Sequence, residues 1–350
     1  MVSVTCAKST GQSGQAVFRC SNTSQRRYMT SSFNILVTGA TGFIGQALVK
    51  ELGARGGFNV RSLSLKNASK AVFAPAPDAS GQAPAASHLA DDIDVVVHLA
   101  GRAHILKETA SDPMQLYRAD NVDKTLELAK WAMRSGVKRF VFVSSIGVNG
   151  STTQAGPFSE DSAPAPKADY AVSKLEAEIA LQALLQGSAM ELVIIRPPLV
   201  YAGHAPGNFR RLMQLVNTGL PLPFARVENS RSMVALENLV DFIICCTRHP
   251  LAANETFLIA DGVDLSISQI AQYLAQGLGR PSRLWPVPLS MMALGARLLG
   301  VKGMFEQLFQ SLTIDSSKAR KLLHWQPPVT PQQALPKAGA DYLDASRKQV

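Results

Sequence analysis

The chain has 350 residues, a formal net charge of +9, and hydrophobic and charged fractions of 46% and 17%, the balance of a globular protein long enough to bury a sizeable core. No apolar run approaches the ~20 residues that cross a bilayer, which argues against an integral membrane segment. The charge does not point to nucleic acid. Lys8, Arg19, Arg26 and Arg27 fall in a stretch without Asp or Glu, and elsewhere cations are scattered among acids without the interleaved aromatics of a single-strand-binding surface.

Residues 1–32 are rich in Ser, Thr, Gln and Gly, lack hydrophobic periodicity and are expected to be a disordered leader. Their basic, acid-free composition faintly resembles a transit peptide, but Met29, just ahead of the first strand, gives the simpler account of an upstream start or an added leader. Asn34-Ile35-Leu36-Val37 then reads as a buried strand, and Phe43, Ile44, Ala47, Leu48 and Leu52 recur at helical spacing. Between them lie Gly39, Gly42 and Gly45. Glycines there let the backbone turn sharply and approach a pyrophosphate, while the helix N-terminus offers its unpaired N–H groups.

Phe58 to Leu65 reads as a second strand, and the Ala/Pro/Ser-rich stretch Ala68 to Ala90 is expected to hold an irregular third strand and a helical piece near its end. Asp94 to Leu99 is a strongly apolar strand running into Ala100-Gly101-Arg102. A long helix is expected from Pro113 to Ser135, with Leu116, Val122, Leu126, Ala129 and Met133 on one face. Arg139 to Ser145 is another buried strand, a helix begins near Asp169, and Glu191 to Arg196 is a further strand before Pro197-Pro198. Beyond this point the chain turns to Pro-rich loops with short helices at Asn238 to Thr247 and Ser266 to Gln276.

The alternation predicts an α/β fold with a Rossmann-type doubly wound parallel sheet over 33–198. A smaller, mainly C-terminal α/β substrate domain is expected over 199–335, with returns to the sheet, and a C-terminal tail over 336–350. Cys6, Cys20, Cys245 and Cys246 have no metal-ligand spacing and the six histidines are dispersed, so no metal is implied and reduced cysteines in a cytoplasmic protein are expected.

Tyr170 and Lys174 lie one helical turn apart and so share a face. A phenol with a pKa near 10 is a poor base at neutral pH, and a neighbouring ammonium lowers that value. The pair can exchange a proton with a hydroxyl or carbonyl, and Ser145, at a strand's carboxyl end, supplies a hydroxyl to orient the same oxygen. Ser144 competes for that role.

The phrase Val37-Thr38-Gly39-Ala40-Thr41-Gly42-Phe43-Ile44-Gly45, with Ser145, Tyr170 and Lys174, resembles the extended short-chain dehydrogenase/reductases, the NAD-dependent epimerase/dehydratase family, and within it UDP-glucose 4-epimerase-like proteins. The resemblance runs from residue 34 to about 335. It implies cofactor contacts at Gly39, Thr41, Gly42, Phe43, Ile44, Gly45, Leu99, Ala100, Gly101, Tyr170, Lys174 and Pro197. It also implies nucleotide-sugar contacts at Ser145, Asn208 and Arg231, an NVxGT-like stretch at Asn121, and homodimer pairing through helices 113–135 and 170–185. Ser145, Tyr170 and Lys174 become the implied catalytic set.

NAD-selective sites end the second strand with an acid. Here Ser64 stands there, flanked by Arg61 and Lys66, with no carboxylate between Glu51 and Asp78. This favours NADP(H), with NAD(H) the alternative. The expectation is therefore a nucleotide-sugar oxidoreductase that reduces a UDP-4-keto-6-deoxy-N-acetylhexosamine at carbon 4. A UDP-hexose 4-epimerase holding NAD tightly is the alternative. A dehydratase is disfavoured because Ile146, Gly147 and Val148, rather than a carboxylate, follow the serine, and a non-catalytic scaffold is disfavoured by the intact Ser/Tyr/Lys set.

Overall fold

A computed structural model describes residues 33–65, 92–102, 112–288, 290–292, 297 and 309–347. The leader and the third strand expected within 68–90 lie outside the described residues.

In chain order the elements are β1 (Phe33–Thr38), α1 (Phe43–Arg55), β2 (Phe58–Leu63), β3 (Val95–His98), α2 (Pro113–Arg118), a π-type turn (Ala119–Asp123) and α3 (Lys124–Arg134). Then come β4 (Arg139–Val143), a 3-10 turn (Ile146–Val148), α4 (Asp169–Leu185), β5 (Glu191–Arg196), β6 (Leu199–Tyr201), α5 (Gly207–Asn217), β7 (Met233–Ala235) and α6 (Leu236–Arg248). The chain closes with β8 (Thr256–Leu258), α7 (Ile267–Gly277), α8 (Ser317–Leu323) and α9 (Pro331–Arg347).

Six strands form one parallel sheet in the order β2-β1-β3-β4-β5-β8. The strands are near-continuous apolar runs because both faces are covered. Ile35, Val37, Val97, Val141 and Val193 face α1 and α6, meeting Leu48, Leu52, Phe242 and Ile243. Leu36, Val96, Phe140, Phe142 and Ile194 face α3 and α4, meeting Leu128, Ala129, Ala177 and Leu181. β1 has β2 on one side and β3 on the other, so connections leave it in both directions. The crevice at the carboxyl ends of β1 and β3 is the topological switch point, where ligands bind in such sheets.

A separate core packs Tyr201, Phe209, Leu212, Met213, Ile270, Leu274 and Leu335 between α5, α7 and α9. Residues 336–350, expected as a tail, instead continue α9 as far as Arg347, with Leu335 and Ala338 buried. The helix approaches α7 so closely that a Cβ on Gly277 would lie 1.8 Å from the Pro336 carbonyl oxygen. Small residues make this contact, which explains why hydrophobic periodicity did not announce it. The helix expected over 113–135 is also interrupted: at its π-type turn the Lys124 N–H reaches back five residues to Ala119 O.

Candidate active site

The glycine turn is built by contact distances. Gly39 has φ +72°, and a Cβ there would lie 2.7 Å from the Ala100 nitrogen. A Cβ on Gly45 would lie 2.1 Å from Gly39 O. Glycine at these two positions lets α1 and the end of β3 close on the turn. Gly42 caps α1, donating to Gly39 O at 2.9 Å, and no side chain caps the helix. The first-turn N–H groups therefore face the switch point, an arrangement suited to phosphate. Thr41 O accepts from Gln46 Nε2 at 3.0 Å, Phe43 opens the helix, and Ile44 packs on the core below.

The opposite wall comes from β3, β4 and α4. Lys174, 3% exposed, donates to Val143 O at 3.1 Å and lies 4.6 Å from the centre of the Phe142 ring. A Cβ on Gly101 would lie 2.9 Å from Asn121 Oδ1 and 3.4 Å from Lys174 Nζ, so β3's exit loop and the lysine are in contact. Ser145 caps the 3-10 turn, its Oγ accepting from Gly147 N at 3.1 Å. A Cβ on Gly147 would lie 3.1 Å from Ala171 Cβ, which brings the Ser145 turn against the helix residue next to Tyr170. Ser144, by contrast, is buried with its Oγ unpartnered, while Ser145 is half-buried and open to a ligand. Pro197 O accepts from Ile146 N at 2.9 Å and ties β5 to the same turn.

The electrostatics differ from expectation. Tyr170 is pushed up to about 12 by burial and by Tyr117, whose ring centre is 6.4 Å away. Lys174 does not lower it, because the ammonium is spent on Val143 O and the Phe142 ring. Burial lowers Lys174 itself to about 8, with Glu178 opposing. In this state the phenol is a proton donor.

Glu178, one turn beyond Lys174, is buried against Arg196, whose Nε donates to it at 3.1 and 3.2 Å and whose NH1 donates to Asn149 Oδ1 at 3.1 Å. This pair pins α4 to β5. Sequence reading missed it, although an acid one turn after the lysine and an arginine closing a buried strand were visible. Missed as well was Ser173, which lies between Tyr170 and Lys174 and donates to Tyr170 O at 2.8 Å.

The residues expected at the sugar-nucleotide end lie in the second core's layer. Asn208 is the second residue of α5, and the neighbouring Phe209 ring packs 5.6 Å from Tyr201. Arg231 bridges to Leu265 and Leu312, and its NH1 donates to Gln310 O at 2.7 Å. Burial lowers it to about 10. Phe43 joins the two regions, packing on both cores and edge-on to His204 at 5.1 Å. At the far side β2 ends at Leu63, leaving Ser64 exposed where an acid was sought; Arg61 is half-buried within the strand. Lys66 lies outside the described residues. Among the described residues no cluster of His, Cys, Asp and Glu fit to hold a metal is present, and no helix is long and apolar enough to cross a membrane.

Fold and site together define a dinucleotide-binding type of α/β protein, with the Tyr170–Lys174 helix packed against the exit loops of β3 and β4. The pattern of the NAD dependent epimerase/dehydratase family matches residues 35–260, and the chain belongs to that family and is an enzyme of it. It is 40% identical over 319 residues to a UDP-glucose 4-epimerase of Vibrio cholerae, covering 90% of this chain and 97% of the relative. Solved structures share the fold. UDP-glucuronic acid 4-epimerase from Bacillus cereus, in complex with NAD, superimposes with a TM-score of 0.69 at 22% identity, covering 91% of this chain and 99% of that one. RMD from Pseudomonas aeruginosa, complexed with NADPH, does so with a TM-score of 0.67 at 19% identity, over 89% and 99%.

Proposed function

We propose that the protein is a nucleotide-sugar 4-epimerase acting on a UDP-hexose, with Ser145, Tyr170 and Lys174 as its catalytic residues. The observation that carries the reading is the meeting of the uncapped glycine turn, Gly101 and Lys174 at one switch point, with the Ser145 turn packed beside Tyr170. The similarity to the Vibrio cholerae protein over nearly its whole length favours epimerisation over net reduction.

The glycine cradle fits a dinucleotide: any Cβ at Gly39 or Gly45 would fill the space the turn needs. Gly39, Thr41, Gly42, Phe43, Ile44 and Gly45 would hold its pyrophosphate, with Leu99, Ala100, Gly101 and Pro197 lining the nicotinamide end. When bound, the nicotinamide supplies hydride acceptance and return at sugar carbon 4. Tyr170 moves the proton at the sugar's O4, Ser145 orients that oxygen, and Lys174, anchored on Val143 O beside Gly101, holds the ribose. Asn208 and Arg231 would take the nucleotide diphosphate. A half-buried guanidinium with no carboxylate against it among the described residues is suited to a diphosphate, which would supply the neutralising charge.

A second reading, a UDP-4-ketohexose reductase using NADPH, is favoured by Ser64 standing where an acid would select NAD and by the protonated state of Tyr170. In that reading Arg61 and Lys66 meet the 2′-phosphate. The reduced Cys245 and Cys246 fit a cytoplasmic enzyme, and the 113–134 and 169–185 helices fit a homodimer.

The deciding experiment denatures the purified protein, measures the released nucleotide, titrates NADH and NADPH separately, and assays interconversion of UDP-glucose and UDP-galactose, with and without an N-acetyl group. Tightly held NAD and interconversion support the epimerase. Exchangeable NADPH and one-way reduction of a 4-keto sugar replace it with the reductase. Tyr170→Phe should lower kcat about 10²- to 10⁴-fold while the cofactor Kd changes less than about threefold; full activity in this variant removes the tyrosine from the mechanism.

A further inference from the structure

His98, at the end of β3, is wholly buried, and both of its ring nitrogens are engaged. Nδ1 lies 2.6 Å from Thr38 Oγ1 and Nε2 lies 2.8 Å from Thr125 Oγ1. The direction of these bonds follows from the next link. Thr125 has one hydroxyl hydrogen and gives it to the Asn121 carbonyl oxygen at 2.7 Å, since a carbonyl only accepts. Thr125 Oγ1 therefore accepts from His98, which puts the ring hydrogen on Nε2. Nδ1 is left as an acceptor for the Thr38 hydroxyl. Burial holds the ring neutral, with its pKa lowered to about 3 and Lys174 adding repulsion, so no second ring hydrogen reverses the Thr38 bond at neutral pH.

Asn121 carries the chain onward. It sits in the π-type turn, and its amide donates to Ser173 Oγ at 2.9 Å and to Arg102 O at 3.2 Å while accepting from Arg102 N at 2.7 Å. Ser173 then gives its own hydrogen to Tyr170 O. Every link donates toward Tyr170, and the first residue, Thr38, immediately precedes Gly39.

We propose that His98 is a positioning residue, the central link of a one-directional hydrogen-bond chain from Thr38 through Thr125, Asn121 and Ser173 that sets helix α4 against the glycine turn. The chain works with the ring hydrogen on Nε2 and not on Nδ1. From Thr38 to the Asn121 carbonyl each bond polarises the next, and the path then passes to the Asn121 side-chain amide, so reversing the ring breaks the Thr38 and Thr125 links directly. The inference rests on the reading of Tyr170 and Lys174 as the acid–base pair.

The test combines a spectroscopic signature with conservative rescue. In full-length protein carrying ¹⁵N-histidine, with the resonance assigned by its loss in His98→Gln, the His98 ring should show the neutral Nε2–H form. Thr125→Val should lower kcat about tenfold and weaken cofactor binding severalfold, in line with a small misplacement of reacting groups, and Thr125→Ser should restore both to within about twofold. Thr38→Val against Thr38→Ser repeats the comparison on the other side of the ring. An Nδ1–H or doubly protonated ring at neutral pH, or a folded valine variant that binds cofactor and turns over like the parent, would overturn the proposal. Should the parent turn over no UDP-hexose, the proposed reaction fails, and ring form and cofactor Kd still decide this point alone.

Discussion

The two halves of the molecule are held together by different means. In the nucleotide half, five consecutive neighbours from β2 to β5 share backbone ladders, and the strands inside the β2 edge are sealed on both faces by apolar side chains. In the second half β6 and β7 are three residues each, and other segments meet through single bridges such as Leu222 with Leu284 and Phe158 with Ile314. Polar clamps do the joining there. Asp261, buried, accepts from Tyr201 Oη and Asn238 Nδ2, both at 2.7 Å, and from Ala235 N at 2.9 Å, while Asn238 also donates to Val329 O at 2.8 Å. Repeating backbone order gives a rigid floor for the cofactor, whereas point-by-point clamping lets the substrate side be shaped by individual residues.

The sharpest way to break the first half is at the one fully buried ion pair among its described residues. Glu178→Ala leaves Arg196, 7% exposed, with Asn149 as its remaining polar partner, and should cost about 3–5 kcal/mol of stability in urea unfolding. A loss below about 1 kcal/mol would show that the pair does not pin α4.

Acid should expose the same half next. His98 has a folded pKa of about 3 against an ordinary 6.5. Below 6.5 the unfolded ring takes a proton that the folded ring refuses. Its contribution is therefore complete above pH 6.5 and lost as the pH falls from there toward 3, at about 1.4 kcal/mol per unit. His98→Gln, lacking that titration, should be less stable at pH 7 and converge on the parent by pH 4; parallel curves would mean that the ring titrates alike in the folded and unfolded chains.

The smallest effect belongs to the second half. Gly277→Ala puts a methyl against the Pro336 carbonyl and should cost about 1–3 kcal/mol, lowering Tm while cofactor affinity stays unchanged. Equal loss of cofactor binding would mean that the two halves unfold as one.

Legibility in the sequence followed the same division. β5 is visible in Glu191 to Arg196 because an unbroken apolar run is what a two-sided strand requires, and the glycine turn shows because two of its three glycines, Gly39 and Gly45, are sterically required there. Ser145, Tyr170 and Lys174 were readable by spacing, and the structure puts the Ser145 turn against the Tyr170 helix and the lysine against Gly101. The raised Tyr170 pKa was not readable, since it depends on where the Lys174 ammonium points and on Tyr117 from another helix. Nor was α9, whose buried surface is partly Ala334 and Ala338 with Pro336 inside the helix. His98 was visible only as a position within the apolar strand Asp94 to Leu99, because its role is written in hydrogen directions rather than in residue type.

Phe43 belongs at once to the first turn of the phosphate-facing helix and to the core beneath the substrate layer, with His204 against its edge. Under the proposed function the two ligand sites share this one ring, and a coupling between them would need no hinge. Thermodynamic linkage then makes the effect reciprocal: whatever factor the bound dinucleotide applies to sugar-nucleotide affinity, the sugar nucleotide returns to the dinucleotide. A favourable coupling of this kind would hold the cofactor most firmly while the sugar nucleotide is present, when release would strand a half-converted substrate.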